Sequence, residues 1–133
     1  MSDIIYEIER RISAEQLADV FRRSGISRPV DDLPRMARML EHANILVTAW
    51  DGEVLVGVAR ALSDFSFCCY LSDLAVDSAY QKSGIGRQLI EHVQKISGDS
   101  AMLLLLAAPT AMPYYPKQGF EAVANGWIIK RKA

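Results

Sequence analysis

The sequence predicts an α/β (α+β) domain in which a mixed sheet carries helices on its faces. Three observations lead to this fold class. Strand-like apolar runs alternate with helical stripes, two tight-turn dipeptides join neighbouring strand-like runs, and a glycine loop stands between a long strand and a helix. With 133 residues, 50% of them hydrophobic and 23% charged, the chain has the size and composition of one globular domain, residues 1–133.

The first third of the chain predicts one strand followed by two helices. Apolar residues alternate over residues 4–9, which is typical of a half-buried strand. Ser13 and Gln16 have the spacing of a capping box, and Gly25 is a natural stop, so a helix is expected between them. A second helix is expected over residues 31–43, with acidic residues at its start.

The middle of the chain predicts three strands and a third helix. The apolar runs 45–50 and 54–61 are joined by Asp51-Gly52, a dipeptide that favours a tight hairpin because both turn positions need φ > 0. The run 67–76 is a third long strand. Apolar residues then recur at helical spacing from residue 85 until Gly98, which predicts a helix directly after the glycine loop.

The last third predicts a central strand, a short helix and a closing hairpin. The continuous apolar run 101–108 is typical of a strand that is covered on both faces. Residues 110–118 are expected to be helical despite two prolines, since proline is tolerated in a first turn. Asn125-Gly126 is a second hairpin signal, between predicted strands 121–124 and 127–132.

Composition excludes several classes of protein. The net charge of −1 argues against nucleic-acid binding driven by overall charge. The longest apolar run, residues 101–108, is far short of the roughly 20 residues that span a bilayer. The first residues do not have the pattern of a secretory signal, so we expect a cytoplasmic protein. Cys68 and Cys69 are adjacent and no metal-ligand spacing occurs, so no metal is expected.

The glycine loop before the third helix has the features of a phosphate site. A side chain at Gly84 or Gly86 would block close approach of a phosphate to the backbone, and Lys82 and Arg87 could add charged contacts. Backbone N–H groups at the start of a helix bind anions without many cationic side chains. A plain glycine turn is the alternative. A dinucleotide fingerprint would need glycine at Leu89, and a P-loop would need Gly-Lys-Ser/Thr, so both of those motifs are excluded.

Residues 74–77 with 80–90, and residues 111–120 further on, form two ordered motifs that resemble those of the GNAT (GCN5-related) N-acetyltransferases. Residues 74–77 and 80–90 resemble the family's coenzyme-A signature, Gln/Arg-x-x-Gly-x-Gly/Ala, and residues 111–120 resemble its second signature, Ala-x-x-Phe-Tyr-x-x-x-Gly-Phe. The order of elements also agrees from the first strand to the last hairpin. The resemblance implies a short, single-domain protein of the bacterial type with the GNAT acyl-CoA N-acyltransferase fold: a mixed, mostly antiparallel sheet of about seven strands with about four helices.

The resemblance also implies how a cofactor binds. Acetyl-CoA would lie in a cleft between the strand that ends at Val76 and the strand that ends near Ala108. Backbone groups of Leu74, Ala75 and Val76 would hold the pantetheine, and the pyrophosphate would be held by Gln81, Lys82, Ser83, Gly84, Ile85, Gly86 and Arg87. The acceptor in this family is usually a primary amine, here expected on a small molecule. A homodimer is also expected from the resemblance.

Two residues are candidates for proton transfer. Tyr115 matches the family tyrosine that protonates the departing thiolate of CoA, and a phenol with a pKa near 10 is suitably protonated at neutral pH. An alkyl amine with a pKa of about 10.4 must lose a proton before it attacks, and Asp73 is the candidate base, directly or through water. The alternatives are that Tyr115 only packs and that Asp73 is a solvent-facing carboxylate. Tyr114 is expected to pack.

The acceptor itself is not defined by the sequence. Arg28, in the loop between the first two helices, could contact a carboxylate or phosphate on the acceptor, or be a solvated loop residue. The pattern is also similar to plant and cyanobacterial arylalkylamine acetyltransferases. Two other functions stay open: acetylation of a protein lysine or N-terminus, and a non-catalytic acyl-CoA-binding sensor. The sensor is suggested by Ala108, where the family commonly has Asn, and by the unusual prolines.

Overall fold

The protein is described by a computed structural model that covers residues 3–133. Five strands form one sheet in the order β1-β2-β3-β4-β5, with antiparallel pairing except between β4 and β5, which are parallel. The elements are β1 (Ile4–Glu7), α1 (Ala14–Ser24), α2 (Leu33–His42), β2 (Ile45–Asp51), β3 (Val54–Ser63), β4 (Cys68–Val76), α3 (Ile85–Ser97) and β5 (Met102–Leu104). The mixed, mostly antiparallel sheet is thus confirmed, with five strands rather than seven and three α-helices rather than four.

Helices cover both faces of the sheet. The helix-pair core, under α1 and α2, contains Leu17, Val20, Phe21, Met36, Trp50, Leu55, Val58 and Ala75. The α3 core, on the other face, contains Val47, Ala49, Val56, Ala59, Leu71, Ile85, Leu89, Ile90 and Val93. β2, β3 and β4 therefore lie between two apolar layers. Trp50 is only 2% exposed, and its Nε1 donates a hydrogen bond to Thr48 Oγ1 at 2.8 Å.

Helix ends lie where their capping residues predict them. Ser13 Oγ accepts from the backbone N–H of Gln16 at 3.1 Å, and Gln16 Oε1 accepts from the backbone N–H of Ser13 at 2.8 Å, which is a complete capping box. Gly25 ends α1 in the left-handed region with φ 83°. Asp32 caps α2, and α3 ends at Gly98. The three predicted helix positions are confirmed.

The β2–β3 hairpin is confirmed, but its turn is shifted by one residue. Asp51 pairs with Val54 as part of the sheet, so the two turn residues are Gly52 and Glu53. Only Gly52 has a positive φ, of 60°. The expectation that both turn positions need φ > 0 is therefore wrong, because a single glycine at the first turn position is sufficient here.

A β-bulge in β4 changes which face its residues occupy. Arg60 of β3 pairs with Asp73, and Ala61 pairs with Leu71, so Ser72 is an extra residue between the two pairs. Without the bulge, Leu71 and Asp73 would share a face. With it, Leu71 packs in the α3 core, whereas the Asp73 carboxylate meets Arg28 from the α1–α2 loop on the opposite face.

The predicted central strand is wrong, because only Met102–Leu104 form β5, at the edge of the sheet. Met102 is largely exposed, so the run is not covered on both faces. The predicted helix 110–118 is replaced by two short 3₁₀ turns, Pro109–Ala111 and Tyr115–Gln118. Three prolines between residues 109 and 116 lack the N–H groups that a continuous α-helix needs.

The predicted closing hairpin is also wrong. Residues 121–133 form no strand and are exposed, and Trp127 is 98% exposed. A two-stranded hairpin is marginal in water unless its apolar face packs on other elements. Here Trp127 and Ile129 contribute no such face, since both side chains lie almost wholly in solvent.

Asp64, in the β3–β4 loop, should make the free energy of unfolding depend on pH. Hydrogen bonds from the backbone N–H groups of Cys68, Phe67 and Ser66 lower the pKa of Asp64 from 3.8 to about 2. A carboxyl with a lowered pKa stabilises the fold fully above its unfolded pKa, and this contribution is lost as the pH falls from about 4 towards 2. We expect Asp64→Asn to be less stable than the natural chain at pH 7, with a smaller difference at about pH 2.5. Urea unfolding at both pH values checks this, and an equal difference at both would contradict it.

Candidate active site

β4 and β5 pair only over a short stretch, and we call the space beside the remaining, unpaired edge of β4 the notch. The two parallel strands pair only over Cys68 to Tyr70 and Met102 to Leu104. Further along, the outer edge of β4 has no strand partner within residues 3–133, and this stretch carries Leu74, Ala75 and Val76. An extended ligand with amide groups can hydrogen bond to such an edge as an added strand would. The β4 edge expected to form one wall of the cleft is thus unpaired in the described residues, and the strand expected to form the other wall ends at Leu104 rather than near Ala108. The binding of acetyl-CoA there stays a prediction.

The start of α3 lies beside this notch and is open to a ligand. Gly84 is the N-cap with φ 87°, and no side chain caps the helix. Gln81, Lys82, Ser83 and Arg87 are exposed, and Lys82 also has a positive φ, of 68°. The first turn of a helix has unpaired N–H groups and a positive dipole end, so this terminus suits a phosphate group.

The two sequence motifs meet at Gly86. A Cβ atom placed on Gly86 would lie 2.6 Å from Tyr114 Oη and 3.9 Å from Val76 Cγ2. The glycine loop, the end of β4 and the second signature are thus neighbours in space. The sequence predicted that Tyr114 packs, and its ring does lie edge-on to Tyr115 with centroids 5.2 Å apart.

Gly86→Ala is expected to weaken acetyl-CoA binding about tenfold. The added methyl would overlap the Tyr114 hydroxyl, so the tyrosine must move beside the proposed phosphate site. A tenfold change in Kd corresponds to about 1.4 kcal/mol of binding free energy. Titration calorimetry with acetyl-CoA measures the change. Gly126→Ala is the matched control, since an added Cβ there meets no atom within 4 Å. Equal affinity of the Gly86 variant and the natural chain would contradict the prediction.

Tyr115 is half-buried, and its ring packs beside that of Tyr114. Its ring also packs edge-on against Phe120, with centroids 5.5 Å apart. Burial raises the pKa of Tyr115, the neighbouring Tyr114 raises it further, and the positive charge of Arg28 acts in the opposite direction. The phenol therefore stays protonated at neutral pH, and the Arg28 guanidinium is close enough to influence it.

Asp73 is wholly buried, at 0% exposure, between two arginines. Arg28 Nε donates to one carboxylate oxygen at 2.5 Å, and Arg60 Nε donates to the other. The bulge residue Ser72 completes the cluster, since its carbonyl accepts from Arg28 Nη2 at 2.7 Å and its Oγ accepts from Arg60 Nη2 at 3.0 Å. Asp73 therefore does not have the solvent-facing position that was the alternative to its role as a base, and neither of its oxygens is free of an arginine. We call this group of four residues the arginine cluster.

The sequence reasoning missed two members of the arginine cluster, Arg60 and Ser72. A signal for Arg60 existed, because a lone arginine within the apolar run 54–61 has to find a buried partner. Asp73, alone in carrying a charge within the run 67–76, was the obvious candidate. Nothing in the sequence marked Ser72, because its role comes from the bulge.

A cavity of about 260 Å³ lies between α3 and the 3₁₀ turn that begins at Tyr115. It is lined by Arg87, Ile90, Glu91, Gln94, Lys117, Gln118 and Gly119. Gln118 Oε1 is buried and has no hydrogen-bond partner within residues 3–133. Arg87 pairs with Glu91 at 3.3 Å, so the lining carries a net charge of +1 with Lys117 included. Together with the unpaired acceptor, this charge suits a ligand that has both a negative charge and a donor group.

Metal ligands and membrane-spanning helices are both absent from the described part of the chain. No group of three His, Cys, Asp or Glu side chains within residues 3–133 could hold a metal ion. No helix there combines the length and apolar character needed to cross a bilayer.

The fold is that of known acetyltransferases. An acetyltransferase of the GNAT family from Streptococcus pneumoniae superposes with a TM-score of 0.76 at 20% identity, covering 98% of this chain and 100% of the other. The aminoglycoside N-acetyltransferase AAC(6')-Iy, solved in complex with CoA, superposes with a TM-score of 0.76 at 16% identity, covering 100% and 97%. At these identities the likeness shows a shared fold.

The family is shown by the sequence itself. A family profile described as an acetyltransferase (GNAT) domain matches residues 10–128, so the chain belongs to the GNAT acetyltransferases. Among curated proteins, the histone acetyltransferase TAP1 of Glycine max is 36% identical over 74 residues. That alignment covers 54% of this chain and 32% of the soybean protein, so the chain spans about a third of that relative's length.

Proposed function

We propose that the protein transfers the acetyl group of acetyl-CoA to a primary amine of a small molecule. The observation that carries the proposal is the meeting of the two GNAT motifs at Gly86, beside an open strand edge and an uncapped helix start. A structural neighbour acts on aminoglycosides, which are small amines, and this supports a small-molecule acceptor.

Three parts of the chain are proposed to hold acetyl-CoA. The free edge of β4 at Leu74, Ala75 and Val76 would hold the pantetheine amides. The N-terminus of α3, with Gln81, Lys82, Ser83, Gly84, Ile85, Gly86 and Arg87, would hold the pyrophosphate. The cavity beside Arg87 and Lys117 would receive the charged nucleotide end. Bound in this way, acetyl-CoA supplies an activated acetyl group as a thioester.

Tyr115 is proposed as the general acid. Its Oη holds a proton at neutral pH, since the ordinary pKa of a phenol is about 10 and burial raises the pKa of Tyr115 further. The hydroxyl can give that proton to the departing thiolate. Asp73 is not proposed as the base that takes the proton of the amine. Both oxygens of Asp73 already accept hydrogen bonds from arginines, so we propose that Asp73 orients Arg28 and that the amine proton passes to water.

Thermal unfolding with acetyl-CoA tests the cofactor assignment. A ligand that binds only the folded chain raises stability by RT ln(1 + [L]/Kd), or about 2.7 kcal/mol at 100 times Kd. We expect a rise in Tm with acetyl-CoA and none with NADH or ATP as controls. If millimolar acetyl-CoA does not change Tm, the proposed cofactor site is wrong.

An acceptor panel tests the alternatives. The similarity to the histone acetyltransferase of Glycine max favours a protein lysine as a second candidate acceptor. Release of CoA is therefore measured with aminoglycosides, arylalkylamines and lysine-containing histone peptides. Turnover with small amines and not with peptides supports the proposal, whereas the reverse favours a protein substrate. Acetyl-CoA binding without turnover on any member favours the sensor. The homodimer and the cytoplasmic location stay predictions.

A further inference from the structure

The arginine cluster carries an unbalanced positive charge. Asp73 supplies one negative charge, and Arg28 and Arg60 supply two positive charges that contact it directly. The side chain of Arg60 is 9% exposed, so Arg60 and Asp73 form a buried pair. The charges of Arg60 and Asp73 cancel, so the remaining positive charge of the cluster lies on Arg28, whose side chain is 27% exposed. A partly buried charge without a counterion is costly, so this position favours a negative group from outside the chain.

Arg28 also has donors left for such a group. A guanidinium has five N–H groups. Three of them are used, by Asp73 Oδ1 at 2.5 Å, the Ser27 carbonyl at 2.6 Å and the Ser72 carbonyl at 2.7 Å. These contacts fix the orientation of the side chain from three sides. Two N–H groups have no partner within residues 3–133, and a fixed guanidinium with free donors matches the geometry of a carboxylate or phosphate.

The position of Arg28 relates it to the acceptor rather than to the cofactor's phosphates. It contacts β4 at Ser72 and Asp73, directly before the strand edge assigned to the pantetheine. Burial raises the pKa of both Tyr115, the proposed acid, and Tyr114, near the α3 terminus. The positive charge that acts against this rise is that of Arg28 for Tyr115 and that of Arg87 for Tyr114. Arg28 therefore lies near the reacting end of the notch, where an acceptor must approach.

We propose that the acceptor amine carries an anionic group, a carboxylate or a phosphate, which Arg28 binds. Arg28 is then a residue that determines specificity, and Asp73, Ser72 and Arg60 position it. This inference rests on the proposed acetyl transfer to a small amine. It narrows the acceptor to amino acids, amine phosphates and compounds of similar charge.

Two matched pairs of acceptors test the inference. Phenylalanine is compared with phenylalaninamide, and phosphoethanolamine with ethanolamine, each at an equal concentration of the neutral amine. For at least one pair we expect kcat/KM to be about 10- to 100-fold higher for the anionic member, the range of a hydrogen-bonded contact to a charged group. The pair that shows the preference distinguishes carboxylate from phosphate. In Arg28→Gln this ratio should fall close to one, and Arg28→Lys should keep part of it.

Arg22→Gln is the matched control. Arg22 belongs to the same region, where it binds the Val30 carbonyl and Asp31, and its loss removes one positive charge without touching the arginine cluster. This variant should keep the full ratio. A kcat/KM ratio near one for both pairs in the natural chain would overturn the inference. So would an Arg28→Gln variant in which kcat/KM falls equally for both members of a pair, because the ratio would then be unchanged.

The outcome can be separated from that of the proposed function. Failure to bind acetyl-CoA, or failure to acetylate any amine, counts against the proposed function. In that event, thermal unfolding with phenylalanine or phosphoethanolamine still tests Arg28. Stabilisation of the natural chain that is absent from Arg28→Gln supports the anion site, and no Arg28-dependent stabilisation overturns it.

Discussion

Tyr115→Phe is expected to lower kcat by about 100-fold or more while acetyl-CoA still binds. A positioned general acid contributes typically about 10²- to 10⁴-fold, and this variant removes only the hydroxyl that holds the proton. The ring that packs against Tyr114 and Phe120 is kept, so the local structure should persist. Steady-state kinetics with the best acceptor of the panel measures kcat, and calorimetry measures acetyl-CoA affinity.

The pH profile separates a chemical role for Tyr115 from a packing role. Burial raises the pKa of this phenol, so the natural chain should lose activity only above about pH 10, where the acid becomes deprotonated. The variant should lack that alkaline decline. Tyr6→Phe is the matched control, because burial also raises the pKa of Tyr6, which lies on β1 far along the sheet from the notch. A Tyr115 variant with nearly normal kcat over the whole pH range would contradict the assigned role.

Asp73→Asn is expected to destabilise the fold by about 3–5 kcal/mol, because removal of one partner from a buried ion pair leaves the other charge without compensation. We expect no larger effect on stability from any other substitution considered above. The Arg28 side chain is 27% exposed, so water can solvate part of its charge, whereas the Arg60 side chain is 9% exposed and donates to the Met39 carbonyl under α2. The variant keeps the size of the side chain, so the loss should reflect charge rather than a cavity.

Urea unfolding at pH 7 measures this loss of stability. Asp31→Asn is the matched control, since Asp31 also pairs with an arginine, Arg22, but at an exposed position where such pairs contribute about 0–1 kcal/mol. If Asp73→Asn unfolded at the same urea concentration as the natural chain and only lost activity, the structural role of Asp73 would be wrong. The sequence-based role as a base would then regain support.

The elements best predicted from the sequence are those set by local chemistry. Ser13, Gly25 and Gly98 act through hydrogen bonds and backbone conformations of their own neighbourhood, and each lies at the end of a helix as expected. The glycine loop and α3 could be predicted for the same reason. Residue spacing could not predict that Gly86 meets Tyr114, since this contact depends on how distant segments pack, and only the family resemblance related the two motifs.

Features that depend on tertiary packing were not predicted correctly. The environment of Asp73 follows from the extra residue Ser72, and period-two patterning cannot reveal a bulge whose position is set by the partner strand. The last strands were expected from their apolar residues and the Asn125-Gly126 turn. Those signals indicate only a local preference for strand structure. β5 has three residues, so it is too short an edge for further strands to pair with over any length.

The contrast between the two tryptophans gives the protein two optical reporters of its own. Trp50 is enclosed in the helix-pair core, and Trp127 stands in solvent near the end of the chain. Their emission should therefore separate, with blue-shifted light from Trp50 and red-shifted light from Trp127. A soluble quencher such as acrylamide would quench the fluorescence of Trp127 first. The remaining fluorescence then follows the folding of the sheet alone, without any label and without interference from the C-terminal segment.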